Sequence, residues 1–268
     1  MIIEFLGTPG AGKSTLLAAA ADYLNERGYC ARSVVEAARP VAARTLIGRL
    51  IARPAPSRRR RALLWQVFYA GTEFERVRFL ARHPGFMWSV WRYQYGRPLS
   101  AADRRHVLHW FNHHTGVYEF LRRRAAPADV FLFDEGFIHR VVQLFASEHE
   151  EPDARPVVTY VARLPRPDLV IYPTAPLETC LRRVYDRGLW ARFAVKTPEE
   201  TVRFLMAAER AVALAAAAAR ERGWLLVEID NSGDPAAAAG RLRRALAEAV
   251  PPFAYPAQPR PIHALIER

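Results

Sequence analysis

Cysteine is scarce in this chain of 268 residues, which contains only Cys30 and Cys180. The two cysteines form no spacing motif, and a chain of this length can bury a core without disulfides. Unpaired thiols of this kind indicate a reducing compartment. No apolar run approaches the roughly 18 residues of a membrane span, and the first residues lack the basic and apolar segments of a signal peptide. These absences predict a cytoplasmic protein that does not span a membrane.

Acidic residues are also in deficit, because 39 Lys and Arg stand against 27 Asp and Glu, a formal net charge of +12. A basic surface attracts polyanions in general, including nucleoside triphosphates, nucleic acids and anionic lipids. A general preference for arginine as the cation accounts for the charge equally well. The remaining composition, 51% hydrophobic and 25% charged, is that of an ordinary folded protein. Charge alone therefore selects no function.

Short apolar runs bounded by turn residues alternate with helical patterns along the chain. Each run is typical of a buried strand, and strands that alternate with helices form parallel sheets covered by helices on both faces. We therefore predict a doubly wound α/β fold with one large domain over residues 1–250. The predicted strands are residues 2–6, 30–35, 130–133, 169–172 and 225–229.

The middle of the chain, residues 53–125, is predicted as a helical insertion between the second and third strands. Its two long helices cover about 58–83 and 101–124, as expected from their apolar spacing and flanking breakers. Residues 86–95 read FMWSVWRYQY, an unusually aromatic stretch. A lid or an acceptor pocket would lie in such an insertion. The proline-rich residues 251–268 are predicted as an irregular arm.

A glycine-rich segment directly follows the first predicted strand and matches the phosphate-binding pattern G-x-x-x-x-G-K-[ST] in full. Its glycines let successive backbone N–H groups converge on phosphate oxygens, and the helix that follows adds the positive end of its dipole. Lys13 would reach the β- and γ-phosphates, and the hydroxyl of Ser14 would ligate Mg²⁺. The predicted nucleotide-binding residues of this segment are Gly7, Thr8, Pro9, Gly10, Ala11, Gly12, Lys13, Ser14 and Thr15.

An acidic pair follows the third predicted strand. A phosphate-binding loop needs a carboxylate at the end of a neighbouring strand to hold the metal or to activate the nucleophile. Asp134 is therefore the predicted Mg²⁺ ligand and catalytic residue, and Glu135 assists it on the acceptor side. Arg140 is a candidate phosphate contact, with a simple surface arginine as an equal alternative.

Glu36 and Arg39 follow the second predicted strand. Strand ends beside the loop face the ligand crevice in open α/β sheets. Glu36 is therefore predicted as the general base that accepts the proton of an acceptor hydroxyl, and Arg39 as a residue that holds the acceptor. The alternative is that Glu36 is an acidic residue at the start of a helix.

Arg183 and Arg187 follow the fourth predicted strand and are spaced four residues apart, so they share one face of a helix. Paired arginines suit a transferring phosphoryl group, whose charge spreads over three oxygens. We predict that both are catalytic and belong to a lid over about 180–200. A solvated basic helix face is the alternative.

The order of these elements resembles that of the P-loop nucleoside and nucleotide kinases, a group that includes thymidylate kinases, deoxynucleoside kinases and nicotinamide-riboside-kinase-like proteins. The resemblance covers the whole chain except the aromatic middle and the carboxyl-terminal arm. The segments that carry it read GTPGAGKST, VVEAARP, FLFDEG, RPDLVIYPTAPLETCLRRVYDRG and VEIDNSGDPAA.

This resemblance implies an ATP- and Mg²⁺-dependent kinase whose acceptor is a small molecule, in the first place a nucleoside or nucleotide. It implies that Asn231 and Ser232 lie where the adenine of the donor is held, and that Gln66 reads the edge of an acceptor nucleobase. The chain departs from the family at Glu135, where the family has an arginine, and in the long aromatic insertion over 84–120. Both departures concern the acceptor.

Two alternatives stay open. The acceptor could be a sugar, an antibiotic or a tRNA-linked group bound by the aromatic insertion, or the protein could be a nucleotide-dependent switch that transfers nothing. A GTPase is disfavoured because no N/T-K-x-D guanine motif is present, and a switch would need neither a strand-end base nor paired arginines. A homodimer also stays open, and nucleic-acid binding by the basic clusters at 58–61 and 122–124 is not favoured.

Overall fold

The computed structural model describes residues 1–52, 57–97, 100–188 and 196–253. The strands in this part of the chain are β1 (Ile2–Phe5), β2 (Cys30–Ser33), β3 (Asp129–Phe133), β4 (Leu169–Thr174) and β5 (Leu226–Asp230). The helices are α1 (Lys13–Glu26), α2 (Val34–Ala42), α3 (Leu46–Ala52), α4 (Ser57–Arg82), α5 (Pro84–Gly96), α6 (Ala101–Arg124), α7 (Val141–Phe145), α8 (Ala154–Arg163), α9 (Leu177–Asp186), α10 (Pro198–Glu221) and α11 (Pro235–Ala249), with a 3₁₀ turn at Ile138–Arg140.

The five described strands form one parallel sheet in the order β2-β3-β1-β4-β5. From the central β1 the chain first builds β2 and β3 on one side, and then β4 and β5 on the other. The loops that follow β1, β3 and β4 therefore meet at the carboxyl edge of the sheet, where ligands bind in folds of this type. The predicted doubly wound α/β fold is confirmed.

Side chains of β1 alternate between two hydrophobic clusters, one on each face of the sheet. Ile3 and Phe5 belong to the cluster that includes buried residues of α1 and α11. Ile2 and Leu6 belong to the larger cluster on the opposite face, which α2, α4, α5, α6, α8 and α10 complete. By the same alternation Glu4, between Ile3 and Phe5, points to the face of the larger cluster.

The second strand ends at Ser33, earlier than the predicted 35. The hydroxyl of Ser33 accepts a hydrogen bond from the backbone N–H of Glu36 at 3.3 Å, and the Glu36 carboxylate accepts one from the backbone N–H of Ser33 at 2.9 Å. This reciprocal capping box satisfies two free donors at a helix start and favours a helix from Val34. Glu36 therefore lies in the first turn of α2 and not at the end of a strand.

The aromatic stretch forms α5, and its inward side belongs to the hydrophobic core. The ring of Phe86 lies 5.7 Å from that of Phe111, 5.6 Å from that of Phe137 and 5.3 Å from that of Tyr160, measured between centroids. Trp88, on the outward side of the helix, is 62% exposed. Only the outward side of this helix is therefore free to meet a ligand.

The basic residues at the end of α6 pair with buried carboxylates, and two of them join that helix to α4. Arg123 and Arg124 both contact the buried carboxylate of Glu75, at 3.1 Å and 2.9 Å, and Arg122 contacts the buried Glu119 at 2.7 Å. A buried carboxylate needs cationic partners that offset the loss of its hydration. The cluster 122–124 therefore has a structural partner for each of its charges.

The predicted arm over 251–268 is described only as far as residue 253. The hydroxyl of Tyr29 donates to the carbonyl of Pro251 at 2.8 Å, and the ring of Phe253 lies 5.3 Å from that of Tyr29. The rest of the arm lies outside the described residues. In the described part of the chain, no helix combines the length and the apolar character that crossing a bilayer requires.

Candidate active site

The glycine-rich loop connects β1 to α1 and is packed tightly against two other segments. Gly10 and Gly12 have positive φ angles of 86° and 89°. A Cβ atom on Gly10 would lie 2.3 Å from the carbonyl oxygen of Cys180, and one on Gly12 would lie 2.0 Å from Nδ2 of Asn231. Both positions thus require glycine for conformation and for space.

Lys13 is the first residue of α1, and its side chain folds over the loop. The ammonium group donates to the carbonyl oxygens of Gly7 at 2.9 Å and Thr8 at 3.3 Å. Burial lowers the pKa of Lys13 to about 8, while the carboxylates of Asp134 and Glu135 act in the opposite direction. A cation held at the positive end of a helix is suited to bind an anion.

Ser14 and Asp134 meet beside Lys13. The hydroxyl of Ser14 donates to Oδ2 of Asp134 at 2.8 Å. The other carboxylate oxygen, Oδ1, is buried and has no hydrogen-bond donor among the described residues. Carboxylate and hydroxyl oxygens are the ligands that Mg²⁺ prefers. The structure thus brings together the two residues that were predicted to hold the metal.

Arg140 lies in the 3₁₀ turn after β3 and is buried, unlike a simple surface arginine. Its Nη1 atom donates to Gln143 at 2.5 Å and to Glu135 at 3.4 Å. Its Nε atom is buried without a partner in the described part of the chain. Burial lowers the pKa of Arg140, against the opposing effect of Glu135. The guanidinium group is therefore held in place beside the acidic pair.

Arg183 and Asn231 connect the loop to α9 and to the segment after β5. Arg183 donates to the carbonyl oxygens of Asn231 at 2.9 Å and Gly10 at 3.4 Å. The side-chain amide of Asn231 donates to the carbonyl oxygen of Ala11 at 2.7 Å. Both side chains thus contact the backbone of the loop. Ser232, by contrast, is exposed, and its backbone N–H donates to Asp230 at 2.9 Å.

Arg187 follows the last residue of α9, and its positive charge is one of the causes that lower the pKa of Lys13. This effect indicates that the two side chains lie in the same neighbourhood. Residues 189–195 of the predicted lid lie outside the described residues.

Three predicted acceptor residues are not joined to the loop by any hydrogen bond or ion pair among the described residues. Glu36 is exposed, and its hydrogen bonds with Ser33 lower the pKa of its carboxyl group. Arg39 is half-buried near the end of α2, and Gln66 is exposed on α4. Their roles at an acceptor site stay predictions.

Glu4 and His139 are two buried titratable residues near the loop that no sequence motif indicates. Glu4 is fully buried in the central strand, and burial raises the pKa of its carboxyl group to about 7. His139 is also buried, and burial together with the charge of Lys13 holds its pKa well below the usual value, so its imidazole is neutral. A single acidic residue inside the apolar run IIEFL was the available signal for Glu4, whereas nothing local marked His139.

Comparison with known proteins finds no family model and no curated protein that matches the chain. Among solved structures, the chain is similar to deoxyadenosine kinase from M. mycoides, in one structure with the products dCMP and a flexible dCDP and in another with dATP. For both structures the identity is 14% and the TM-score 0.41, over 92% of this chain and 100% or 99% of that one. It is also similar to TT1252 from Thermus thermophilus, at 19% identity and a TM-score of 0.37, over 93% and 97% of the two chains.

Proposed function

We propose that this protein is an ATP- and Mg²⁺-dependent kinase that transfers the γ-phosphoryl group to a hydroxyl or phosphate group of a small molecule, in the first place a nucleoside or nucleotide. The observation that carries the proposal is the hydrogen bond between Ser14 and Asp134. Ser14 lies in the first turn of α1, directly after the glycine-rich loop. An anion site and an oxygen-ligand pair are thus adjacent. Phosphoryl transfer needs both of them and little further covalent chemistry from the protein.

The residues present fit a triphosphate and its metal. Gly10 and Gly12 bend the loop backbone with positive φ angles, and their N–H groups would donate to phosphate oxygens. Ser14 and the free oxygen of Asp134 would hold Mg²⁺. Bound there, the metal would supply positive charge against the negative charge of the transferring group. Lys13 would bind the β- and γ-phosphates as a second cation.

Arg183 and Arg187 act on the donor side of the site in this proposal. Arg183 supports the loop through the carbonyl oxygens of Gly10 and Asn231, so it keeps the phosphate site in shape. Arg187 steadies the γ-phosphoryl group during transfer. Asn231 and Ser232 lie on the side of the donor base, where Asn231 acts through the loop backbone that it contacts.

Arg140, Glu135, Arg39, Glu36 and Gln66 form the acceptor side in this proposal. Arg140 carries a buried charge whose Nε–H group has no partner in the part of the chain that the structure describes, and such a group suits an oxygen of the acceptor. Hydrogen bonds from Ser33 lower the pKa of Glu36, so its carboxylate is ionised but only a weak base. A loose transition state requires little proton abstraction. Glu36 therefore orients the acceptor hydroxyl more than it deprotonates it, and Asp134 is the other candidate base.

Cys30 and Cys180 are free cysteines, and free cysteines are the usual state in a reducing compartment. We therefore place the protein in the cytoplasm.

The decisive experiment is transfer of label from [γ-³²P]ATP to a panel of nucleosides, nucleotides, sugars and tRNA, with Mg²⁺ and with EDTA. We expect label on one acceptor class and only with Mg²⁺. Slow release of free phosphate with every acceptor would contradict the kinase and favour the nucleotide-dependent switch.

A charge-matched pair of variants tests the loop in the same assay. Lys13→Ala removes the loop cation and should abolish transfer, whereas Arg243→Ala removes an exposed arginine paired with Glu26 on the outer side of α1 and should leave transfer unchanged. Circular dichroism should show both variants folded. If Lys13→Ala transferred label at the wild-type rate, the loop would not be the phosphate-binding site.

A further inference from the structure

Glu4 is an acidic residue in the central strand of a parallel sheet, and its side chain is fully buried. The flanking residues of the strand, Ile3 and Phe5, are also fully buried. Taking a carboxylate out of water is unfavourable unless partners compensate for it. An apolar residue would serve packing better at this position. The presence of a carboxyl group therefore needs an account beyond packing.

The turn after β3 is built around this carboxyl group. Oε2 of Glu4 accepts a hydrogen bond from the backbone N–H of Ile138 at 2.8 Å, and the backbone N–H of Phe137 also acts to lower the pKa of the carboxyl group. Gly136 lies so close that a Cβ atom there would be 2.4 Å from Cδ of Glu4. The carboxyl group thus replaces the partners that free N–H groups at the start of a helical turn require.

This turn carries the site residues that follow β3. Asp134 precedes Gly136 by two residues, and Arg140 ends the 3₁₀ turn that begins at Ile138. Apart from Glu4, the hydroxyl of Tyr160 contacts the turn by donating to the carbonyl oxygen of Phe137 at 2.7 Å. The turn is therefore held from the strand side by Glu4 and from the helix side by Tyr160.

We infer that Glu4 is a positioning residue that sets the turn 134–138, so that the carboxylate of Asp134 meets the hydroxyl of Ser14. No direct contact of Glu4 with nucleotide or metal is part of this inference. It acts through backbone N–H groups on the residue that is assigned to the metal. The inference rests on the proposed function for its consequence, but the hydrogen bond between Glu4 and the turn can be tested without it.

Two substitutions of similar size separate a positioning role from a packing role. Glu4→Gln keeps one oxygen acceptor for the turn, whereas Glu4→Leu fills the space and offers none. The affinity for N-methylanthraniloyl-ATP is measured by fluorescence, with Mg²⁺ and with EDTA. The ratio of the two affinities reports how well Ser14 and Asp134 are placed. Amide hydrogen exchange at Ile138 and Phe137, followed by NMR, reports the turn itself.

A positioning role predicts that Glu4→Leu lowers the Mg²⁺-dependent gain in affinity about tenfold, with the affinity in EDTA unchanged and faster exchange at Ile138. Glu4→Gln should stay within about threefold of the wild type, because one weaker hydrogen bond remains. Ile3→Val, on the opposite face of the same strand, is the control for lost packing and should keep the full gain. A packing role predicts the reverse order, with Leu equal to the wild type and Gln impaired, and that order would overturn the inference.

Gly136→Ala tests the same contact from the side of the turn if Glu4→Leu does not fold. Its methyl group would push the turn away from the intact carboxyl group, so the Mg²⁺-dependent gain should fall as well. A full gain in Gly136→Ala would overturn the inference. If the wild type binds no nucleotide, the proposed function fails by itself. Unchanged exchange at Ile138 in every variant would then still overturn the inference.

Discussion

Ser14 and Asp134 are 120 positions apart in the chain, yet the hydroxyl of one donates to the carboxylate of the other at 2.8 Å. The contact exists because β1 and β3 are parallel neighbours in the sheet, so the segments that follow them leave the same edge. An oxygen pair at the start of a helix can hold a metal next to a bound phosphate. If Ser14 and Asp134 hold Mg²⁺, substitution of either residue should change the Mg²⁺ requirement.

Asp134→Asn should lower Mg²⁺-dependent phosphoryl transfer by about 100-fold, because the amide keeps the size of the side chain but loses the charge that binds the metal. Rates are measured over a range of Mg²⁺ concentrations, and the half-saturating concentration should rise. Asp22→Asn removes an exposed carboxylate near the carboxyl end of α1, away from the loop, and serves as the control. An unchanged Mg²⁺ requirement in Asp134→Asn would exclude the carboxylate as a ligand.

The affinity for ATP should fall as the pH rises, because the free protein loses the proton of Lys13 around its pKa of about 8. Only the protonated lysine attracts phosphate, so raising the pH from about 7 to about 9 should weaken binding roughly tenfold. Calorimetric titrations at three pH values measure the effect. Lys13→Arg keeps its charge over this range and should show no such dependence. A wild-type affinity that is constant over the same range would contradict the role of the lysine.

Glu4→Gln should gain stability relative to the wild type as the pH rises. Burial raises the pKa of Glu4 to about 7, so the folded protein retains a proton that the unfolded chain releases from about pH 4.5 upward. The wild type therefore loses on the order of 3 kcal/mol of this contribution between about pH 4.5 and pH 7. Urea unfolding of both proteins at about pH 5 and pH 8 gives the difference. Other titrating groups cancel between the two proteins, and a difference that is equal at both pH values would show that Glu4 is not buried in this state.

Asn231→Ala should destabilise the protein by about 1–3 kcal/mol and weaken ATP binding, because the carbonyl oxygen of Ala11 loses its buried donor. Thermal unfolding and nucleotide titration measure the two effects. Ser232→Ala, the adjacent exposed residue, should change stability by less than about 0.5 kcal/mol. An equal loss of stability in the two variants would show that the hydrogen bond between Asn231 and Ala11 does not stabilise the protein.

The position of the glycine-rich loop and that of the acidic pair could be predicted because each is a local pattern with a local cause. A short segment is enough to recognise each pattern. The first has glycines before a lysine at the start of a helix, and the second has acidic residues directly after an apolar strand. The position of Glu36 could not be predicted in the same way. Its run VVEAARP is apolar enough to extend a strand, and the hydroxyl of Ser33 decides the competition by capping a helix.

The partners of Arg183, Asn231 and Arg140 could not be predicted either. The spacing of the arginines indicated a shared helix face, but the contact of Arg183 with Gly10 depends on how α9 packs against the loop. Asn231 was assigned to the side of the adenine, and its amide contacts the loop backbone. Glu4 stood out in the sequence only as one charge in an apolar strand, without any sign of what it holds.

The sequence by itself determined the alternation of strands and helices, the glycine loop and the order of the charged residues along the chain, because these depend on interactions within one element. Tertiary structure decided which of those residues meet. Strand order and register bring Asp134 to Ser14, the turn of residues 136–138 to Glu4 and the segment after β5 to the loop. Each of these hydrogen bonds joins groups far apart in the chain, so each depends on how the sheet places the edges of its strands.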